Sequence, residues 1–532
     1  MRRRRFSRKS LEHGRERKCA AIMPHMATAD ASLQHQSAVA RGASAAVVYT
    51  MVLAGGAMVQ APLVLQYLDA DLAGLWFLML AVGGWVVFLD LGVGPTLARE
   101  IALSIGRETD AGARAQEVGA LVASARALSV AVSVALLLIA MSAGSLIILG
   151  AAPRTELQSV VVAWGIFSVG VGISPLANAR LAALTGLGKV ATERSVRIVA
   201  VGITVVPLSV LALHLGLGLP GLAAAWSAQW AIAWVIGSFR LQRLRDQVPS
   251  SQPDRRHIRQ SIMPSLKWWL TGVGGMLIYQ ADAVIIAIAL GTASVTGYVA
   301  VSMAFRALAS LSGTVVLASL PFLSRSHGAG DRRALGRRVL TNSQISAGLM
   351  LTFAIPFAVV GPEIVSIWLG AAHSPGGAVI ALLALSWALE AHQTPHSQAV
   401  MATGHMAFWA LALMAAGFKI ALATVLIGPF GLEGVALATF AAQLGTSYWY
   451  PLMISARTFG WGVRHYAGRI LGPVLVIGVM ECLAALGAKA VLSDRGDITT
   501  TVGVGTVTLM VAVFGGLIIF TSNGGNRIER VE

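Results

Sequence analysis

Five ionisable side chains stand near the middle of long apolar stretches: Asp282, Arg306, Glu390, Lys419 and Glu481. A charge at the centre of a hydrocarbon layer costs at least about 2.5–3.5 kcal/mol on insertion scales, so each is a candidate for ligand binding, ion coupling or pairing. Ser302 and Ser310 lie four residues either side of Arg306, which puts a polar stripe on one helix face. Ser386, Gln393 and Thr394 flank Glu390 in the same way. Two readings of these charges stand side by side. In one they neutralise each other inside the protein, Asp282 with Arg306 and Glu390 with Lys419. In the other, Arg306 and Lys419 attract phosphate or acidic sugars in a low-dielectric cavity, because a fixed cation is strong there. Asp282 and Glu390 then form a proton or sodium site, and a phosphate that displaces a carboxylate from Arg306 acts as a switch. Tyr279 and Gln280, just ahead of Asp282, are placed either to meet sugars or to pack. Weaker candidates are Asp90 and Arg126, both near span ends where they can snorkel to water, and Glu481, which marks a lipid-tail groove or a buried hydrogen bond.

The elements that must carry these residues follow from composition. Of 532 residues 56% are hydrophobic and 12% charged, where soluble domains carry roughly 25% charged; this excludes a soluble enzyme. A crossing takes about 20 apolar residues, and runs of that length fall near 44–66, 72–92, 121–149, 158–178, 198–217 and 220–239. Six more fall near 268–290, 296–320, 342–362, 377–398, 407–428 and 433–453, and a last pair near 470–488 and 499–520. Unbroken apolarity such as Ser129–Ala140 excludes the alternation of a membrane β-barrel. The expected fold is an all-α polytopic membrane protein of about 14 transmembrane helices.

The net charge of +16 sorts by topology: 34 of the 40 Lys and Arg fall in the two tails and in the loops after even-numbered spans. By the positive-inside rule both termini are cytoplasmic, and the basic surplus requires no nucleic-acid partner. Residues 1–43 read as a disordered basic tail able to lie on anionic lipid. Its Arg3-Arg4-Arg5-Phe6 lacks the apolar stretch that a twin-arginine signal needs directly behind it, and Met23 or Met26 is an alternative start.

Anchors recur between spans 1–6 and 7–12. Gly74-Leu75-Trp76 matches Gly297-Tyr298, Asp110 matches Asp331, Thr185-Gly186 matches Thr403-Gly404, and Gln229 matches Gln443, with offsets drifting from 223 to 214. Six spans per unit give both copies the same topology, related by an axis along the membrane normal. The expected organisation is a six-helix bundle over 44–240, a basic linker over 241–267, a second bundle over 268–453, helices 13 and 14 over 454–520, and a tail over 521–532. Gly216-Leu-Gly218-Leu-Pro-Gly221 has the GxGxxG spacing but no preceding strand, so it reads as a turn. His392 and His396 sit four apart without a third ligand at motif spacing, so no metal is expected. No cofactor motif, Walker lysine, HExxH or GxSxG is present.

Asp71-Leu-Ala-Gly-Leu-Trp-Phe77, Phe88-Leu-Asp-Leu-Gly-Val-Gly94 and Ala98-Arg-Glu-Ile-Ala102 resemble the opening helices of bacterial polysaccharide or O-antigen flippases. Asp282-Ala-Val-Ile-Ile286, Gly297-Tyr298-Val-Ala300, Pro321, Gly330-Asp331, Ile367-Trp-Leu-Gly370 and Thr403-Gly404 continue the resemblance to about residue 520. It implies membership of the multidrug/oligosaccharidyl-lipid/polysaccharide (MOP) exporter superfamily, with two six-helix bundles, a V-shaped cavity and alternating access. It further implies a non-enzymatic flippase in a bacterial inner membrane that moves an undecaprenyl-diphosphate-linked oligosaccharide, coupled to H+ or Na+. Glycosyltransferases and a polymerase of the same lipopolysaccharide or polysaccharide pathway would be its partners. A drug/cation antiporter of the same superfamily, a peptidoglycan-precursor flippase and, further off, a membrane polysaccharide polymerase or ligase remain as alternatives.

Overall fold

The computed structural model describes residues 41–525, apart from residues 43, 89–92, 108–109, 245, 329–331, 403–407, 467 and 469–470. The described residues are helical, with short turns and no strand among them. Apolar runs too long for any other way of satisfying backbone polar groups in lipid make this the only open outcome.

The first six long helices are α1 (Ser44–Tyr67), α2 (Ala70–Phe88), α3 (Ala111–Gly150), α4 (Leu157–Gly186), α5 (Val190–His214) and α6 (Gly218–Gln242). The next are α7 (Arg255–Leu290), α8 (Ala293–Gly328), α9 (Arg332–Leu369) and α10 (Gly377–Ala402). A continuous stretch over 408–459 breaks at Gly431, whose positive φ of 56° is open to glycine. This gives α11 (408–430) and α12 (432–459). The last pair is α13 (Gly472–Leu492) and α14 (Asp497–Gly525). Eleven stretches among the described residues are long and apolar enough to cross a membrane, α11 and α12 counting there as one. α14 is absent from those eleven because its apolar stretch among the described residues, Asp497–Val513, is shorter, and α10 because Glu390-Ala-His-Gln-Thr-Pro-His-Ser397 makes its second half polar.

Several boundaries differ from the sequence expectation, α9 among them, which starts ten residues early at Arg332. α3 starts at Ala111, ten residues early, because Asp110 caps it. The Asp110 carboxylate accepts the Ala113 N–H at 2.7 Å. α7 starts at Arg255 inside the expected linker, since basic residues continue a helix beyond the membrane as readily as apolar ones begin it. The loop after α2 contains an amphipathic helix, Val93–Arg107, which buries Leu97, Ile101 and Ser104 against α4. That i, i+4, i+7 spacing was legible in the sequence. The GxGxxG segment is the α5–α6 turn, with Gly216 and Gly218 at φ of 73° and 53°.

α4 packs on α3, α5 and α6, and α9 packs on α8 and α10 while α7 packs on the α11–α12 stretch. The two sets of six meet where α2 lies against α7 and α8. This seam closes tightly at the end away from the basic loops. A Cβ on Gly74 would overlap the Thr292 carbonyl oxygen, so glycine is required for the approach. There Thr292 Oγ1 donates to Asp71 Oδ1 at 2.9 Å and Trp368 Nε1 donates to the Met58 carbonyl at 2.8 Å. α13 and α14 pack on each other and on α9, pinned by the Lys489–Glu363 ion pair at 2.8 Å. Their other faces carry exposed Leu475, Val479, Leu483 and Val502, as a lipid-facing pair requires.

Candidate functional site

A cavity of about 200 Å³ opens at the seam, bounded by α2, α7, α8 and α10. Tyr298, Ser302 and Arg306 line it from one face of α8 at successive four-residue steps, Tyr279 and Gln280 from α7, Trp387 from α10, and Leu80 and Ala81 from α2. The Arg306 guanidinium has no ion-pair partner among the described residues, and Ser310 Oγ donates only to the Arg306 backbone carbonyl. Gln280 Oε1 is buried without a hydrogen-bond partner among the described residues and rests against Gly84 of α2, where a Cβ would stand 2.6 Å from it. Arg306, the Gln280 amide and the Asp282 carboxylate, whose charge is paired elsewhere, therefore line one largely apolar space, which suits a ligand with an anionic group beside hydroxyls.

Asp282 lines the cavity too, but its charge is met from behind by Lys419, which does not line it. Lys419 Nζ donates to Asp282 Oδ1, and both side chains are buried, Lys419 completely. Asp282 Oδ2 accepts from Tyr298 Oη at 2.9 Å and from Thr439 Oγ1 at 3.3 Å. This corrects the pairing expected from sequence, Asp282 with Arg306 and Glu390 with Lys419. α11 lies directly on α7, so Lys419 reaches Asp282, while the face of α8 that bears Arg306 turns to the cavity. Lys419 is accordingly no cavity cation, and no carboxylate among the described residues is held on Arg306 for a phosphate to displace.

Glu390 sits in a shell of neutral donors instead. Its Oε2 accepts from Tyr279 Oη at 2.7 Å, Gln443 Nε2 at 3.0 Å and Gln393 Nε2 at 2.5 Å, and its Oε1 from Thr394 Oγ1 at 3.5 Å. Ser386, expected beside it, donates to the Leu382 carbonyl. Tyr279 stacks on Trp387, ring centroids 4.6 Å apart and planes at 20°. The cavity wall and the Glu390 shell therefore share one side chain. Gln393 Oε1 and Gln443 Oε1 are buried with no hydrogen-bond partner among the described residues, and no described basic side chain forms an ion pair with the carboxylate. Gln443 opens a π turn, Gln443–Ser447, a distortion frequent at functional positions.

The remaining candidates lie apart. Glu481 is buried between α13 and α9, with Thr352 Oγ1 at 3.3 Å from Oε1 and no described group on Oε2. Arg126 is exposed on α3, and Asp90 lies outside the described residues. Among the described residues no group of three His, Cys, Asp or Glu side chains could hold a metal ion. Sequence reasoning missed Trp387 and Thr439 and took Tyr298 and Gln443 only as repeat anchors or motif residues. The four-residue step from Tyr298 through Ser302 to Arg306 was the available signal.

No protein-family model matches the sequence, and no curated protein sequence does. Solved structures match by fold. The lipid II flippase MurJ in an inward closed conformation superposes with a TM-score of 0.61 at 10% identity, covering 92% of this chain and 99% of that one. A multidrug resistance MATE family transporter of the MOP superfamily, in an inward-facing conformation, gives 0.59 at 16% identity, covering 78% and 95%. The Vibrio cholerae MATE transporter VcmN, as a point mutant, gives 0.58 at 14%, covering 81% and 99%. The neighbours are described as transporters or a flippase, and this chain shares their fold.

Proposed function

We propose that the protein flips a lipid-linked oligosaccharide, joined through a diphosphate to a polyprenyl chain, across a bacterial inner membrane by alternating access. The observation that carries the reading is Arg306, a half-buried guanidinium on a membrane-spanning helix with no carboxylate on it among the described residues, facing the cavity between the two sets of six helices. Because Lys419 already neutralises Asp282, the cavity carries a surplus positive charge at its wall, which selects for an anion. The Trp387–Tyr279 stack and Gln280 suit the apolar faces and hydroxyls of a sugar. The match over 92% of the chain to a lipid II flippase, against 78% and 81% for the MATE transporters, agrees with a helix pair added for a polyprenyl substrate.

Glu390 is the ion-coupling residue in this reading and Asp282 is not. A carboxylate held only by neutral donors can exchange a proton or sodium ion, whereas one paired with a buried lysine is already compensated. The basic loops and both termini face the cytoplasm, where the substrate is made.

The test is a strain lacking the protein. Undecaprenyl-diphosphate oligosaccharide accumulates on the cytoplasmic leaflet, the wild-type gene clears it and Arg306→Lys clears it in part. Loss of a charge-assisted contact of about 3 kcal/mol makes Arg306→Ala roughly a hundredfold slower in the purified protein reconstituted with that lipid. Export by Arg306→Ala at the wild-type rate refutes the reading. A deletion that alters only sensitivity to cationic dyes points to the antiporter, and one that accumulates only the peptidoglycan precursor points to that lipid.

A further inference from the structure

Two arginines away from the cavity also lack an anion. Arg126 is exposed on α3 and Arg180 half-buried on the neighbouring α4, within electrostatic reach of each other. Neither has an ion-pair partner among the described residues. Among those residues the Arg180 guanidinium makes one hydrogen bond, from Nη1 to the Leu176 carbonyl at 2.6 Å, and it lies 5.4 Å from the ring centre of Trp234 on α6. The carbonyl and the indole face hold the side chain in place while leaving most of its five N–H groups open. Two like charges set side by side on adjacent helices repel, so an anion that meets both is favoured there.

Their depth says what kind of anion. Arg126 stands 24 residues before Gly150, where α3 ends, and Arg180 stands 23 residues after Leu157, where α4 begins. At about 1.5 Å per residue both lie roughly 35 Å from the helix ends away from the basic loops, just beyond a hydrocarbon layer about 30 Å thick. That is the level of the lipid headgroups on the basic-loop side. From it two apolar runs lead back into the membrane. Val130 and Val134 follow Arg126 at four-residue steps on α3, and Leu176 and Val169 precede Arg180 on one face of α4. Val130, Val134 and Val169 are exposed, as faces that meet lipid require. The run from Arg180 to Val169 spans about 16 Å, close to the hydrocarbon depth of one leaflet.

We propose that this face binds one anionic phospholipid of the leaflet on the basic-loop side, its phosphate between the Arg126 and Arg180 guanidiniums and its two acyl chains along the two apolar runs. The planar fork of arginine offers paired N–H donors to phosphate oxygens. A soluble anion would use the arginines and not the runs. A zwitterionic lipid would use the runs and bring its own cation to the arginines, which weakens the contact. None of α3, α4 and α6 lines the cavity, so this site is independent of what the cavity carries.

The test is a lipid count on the purified full-length protein in detergent, stripped of co-purified lipid. It is titrated with phosphatidylglycerol and, separately, with phosphatidylcholine of the same acyl chains, and bound lipid is read by native mass spectrometry. One phosphatidylglycerol is expected to bind roughly thirtyfold tighter than phosphatidylcholine, the increment of two arginines at an anionic headgroup. Arg126→Gln with Arg180→Gln should remove that preference and leave phosphatidylcholine binding unchanged. Val130→Glu gives Arg126 a carboxylate four residues away with both arginines kept, and should lower the preference as well. Arg240→Gln with Arg243→Gln, two exposed arginines at the same end of α6, should leave it intact. A wild-type preference in the Arg126, Arg180 double variant or in Val130→Glu overturns the site. An equal loss in the Arg240, Arg243 variant assigns the preference to the diffuse charge of the basic loops and overturns it too. Inorganic phosphate binding the pair as tightly as the lipid makes the occupant a soluble anion and overturns the lipid.

Discussion

Removing either member of the Asp282–Lys419 pair exposes the other to the full penalty of an uncompensated buried charge, while removing both does not. Breaking a buried pair by one partner costs about 3–5 kcal/mol, and neutral replacement of both is often close to harmless. The structure orders the two single variants. Lys419→Met leaves Asp282 with the Tyr298 and Thr439 hydroxyls, which continue to stabilise the anion, so the loss belongs near about 3 kcal/mol. Asp282→Asn leaves a completely buried ammonium whose carboxylate acceptor is gone, so the loss belongs near about 5 kcal/mol. The corresponding folding equilibria shift by roughly a hundredfold and several-thousandfold. The double variant, Asp282→Asn with Lys419→Met, keeps the shape and both hydroxyl contacts and is expected within about 1.5 kcal/mol of wild type. Denaturant unfolding of the purified protein in detergent micelles, followed by tryptophan fluorescence, measures all four proteins. A double variant as unstable as the sum of the singles refutes the assignment of Lys419 as the counter-ion. Because neither group is assigned a ligand here, the double variant is also expected to flip substrate; a stable double variant without transport returns Asp282 to the coupling machinery.

Two further predictions test the seam and the last helix pair. Gly74→Val cannot coexist with the closed end, so Thr292→Cys, in a chain with Cys19 and Cys482 replaced by Ser, should be shielded from a membrane-impermeant maleimide beside Gly74 and labelled beside valine; equal labelling removes the seam as the closing contact. Glu481→Gln deletes a buried carboxylate with one oxygen unsatisfied among the described residues, and is expected to raise stability by about 1–3 kcal/mol with transport unchanged; loss of transport in a folded variant places Glu481 in the working site.

The helices, their number and the side that carries the basic loops are properties of composition along the chain. A run of about 20 apolar residues has one stable form in lipid, so α1–α9 and α11–α14 were readable without any knowledge of their neighbours. Even α10, the most polar, was found because Val379–Leu389 is apolar enough to begin it. The five mid-span charges were readable for the same reason, as each interrupts such a run.

Partner choice was not readable, because it depends on which helix faces lie together. Asp282 had two cations to choose from within the same half of the chain, and spacing along one helix says nothing about the rotation of the next. The packing of α11 on α7 gave Asp282 to Lys419, left Arg306 to the cavity and left Glu390 to neutral donors. By itself the sequence determined that charges stand inside a fourteen-helix membrane protein. Only the tertiary structure decided which charge is silenced and which one faces the cavity, because a buried ion is neutralised by whatever lies within a few ångströms, and that distance is set by packing.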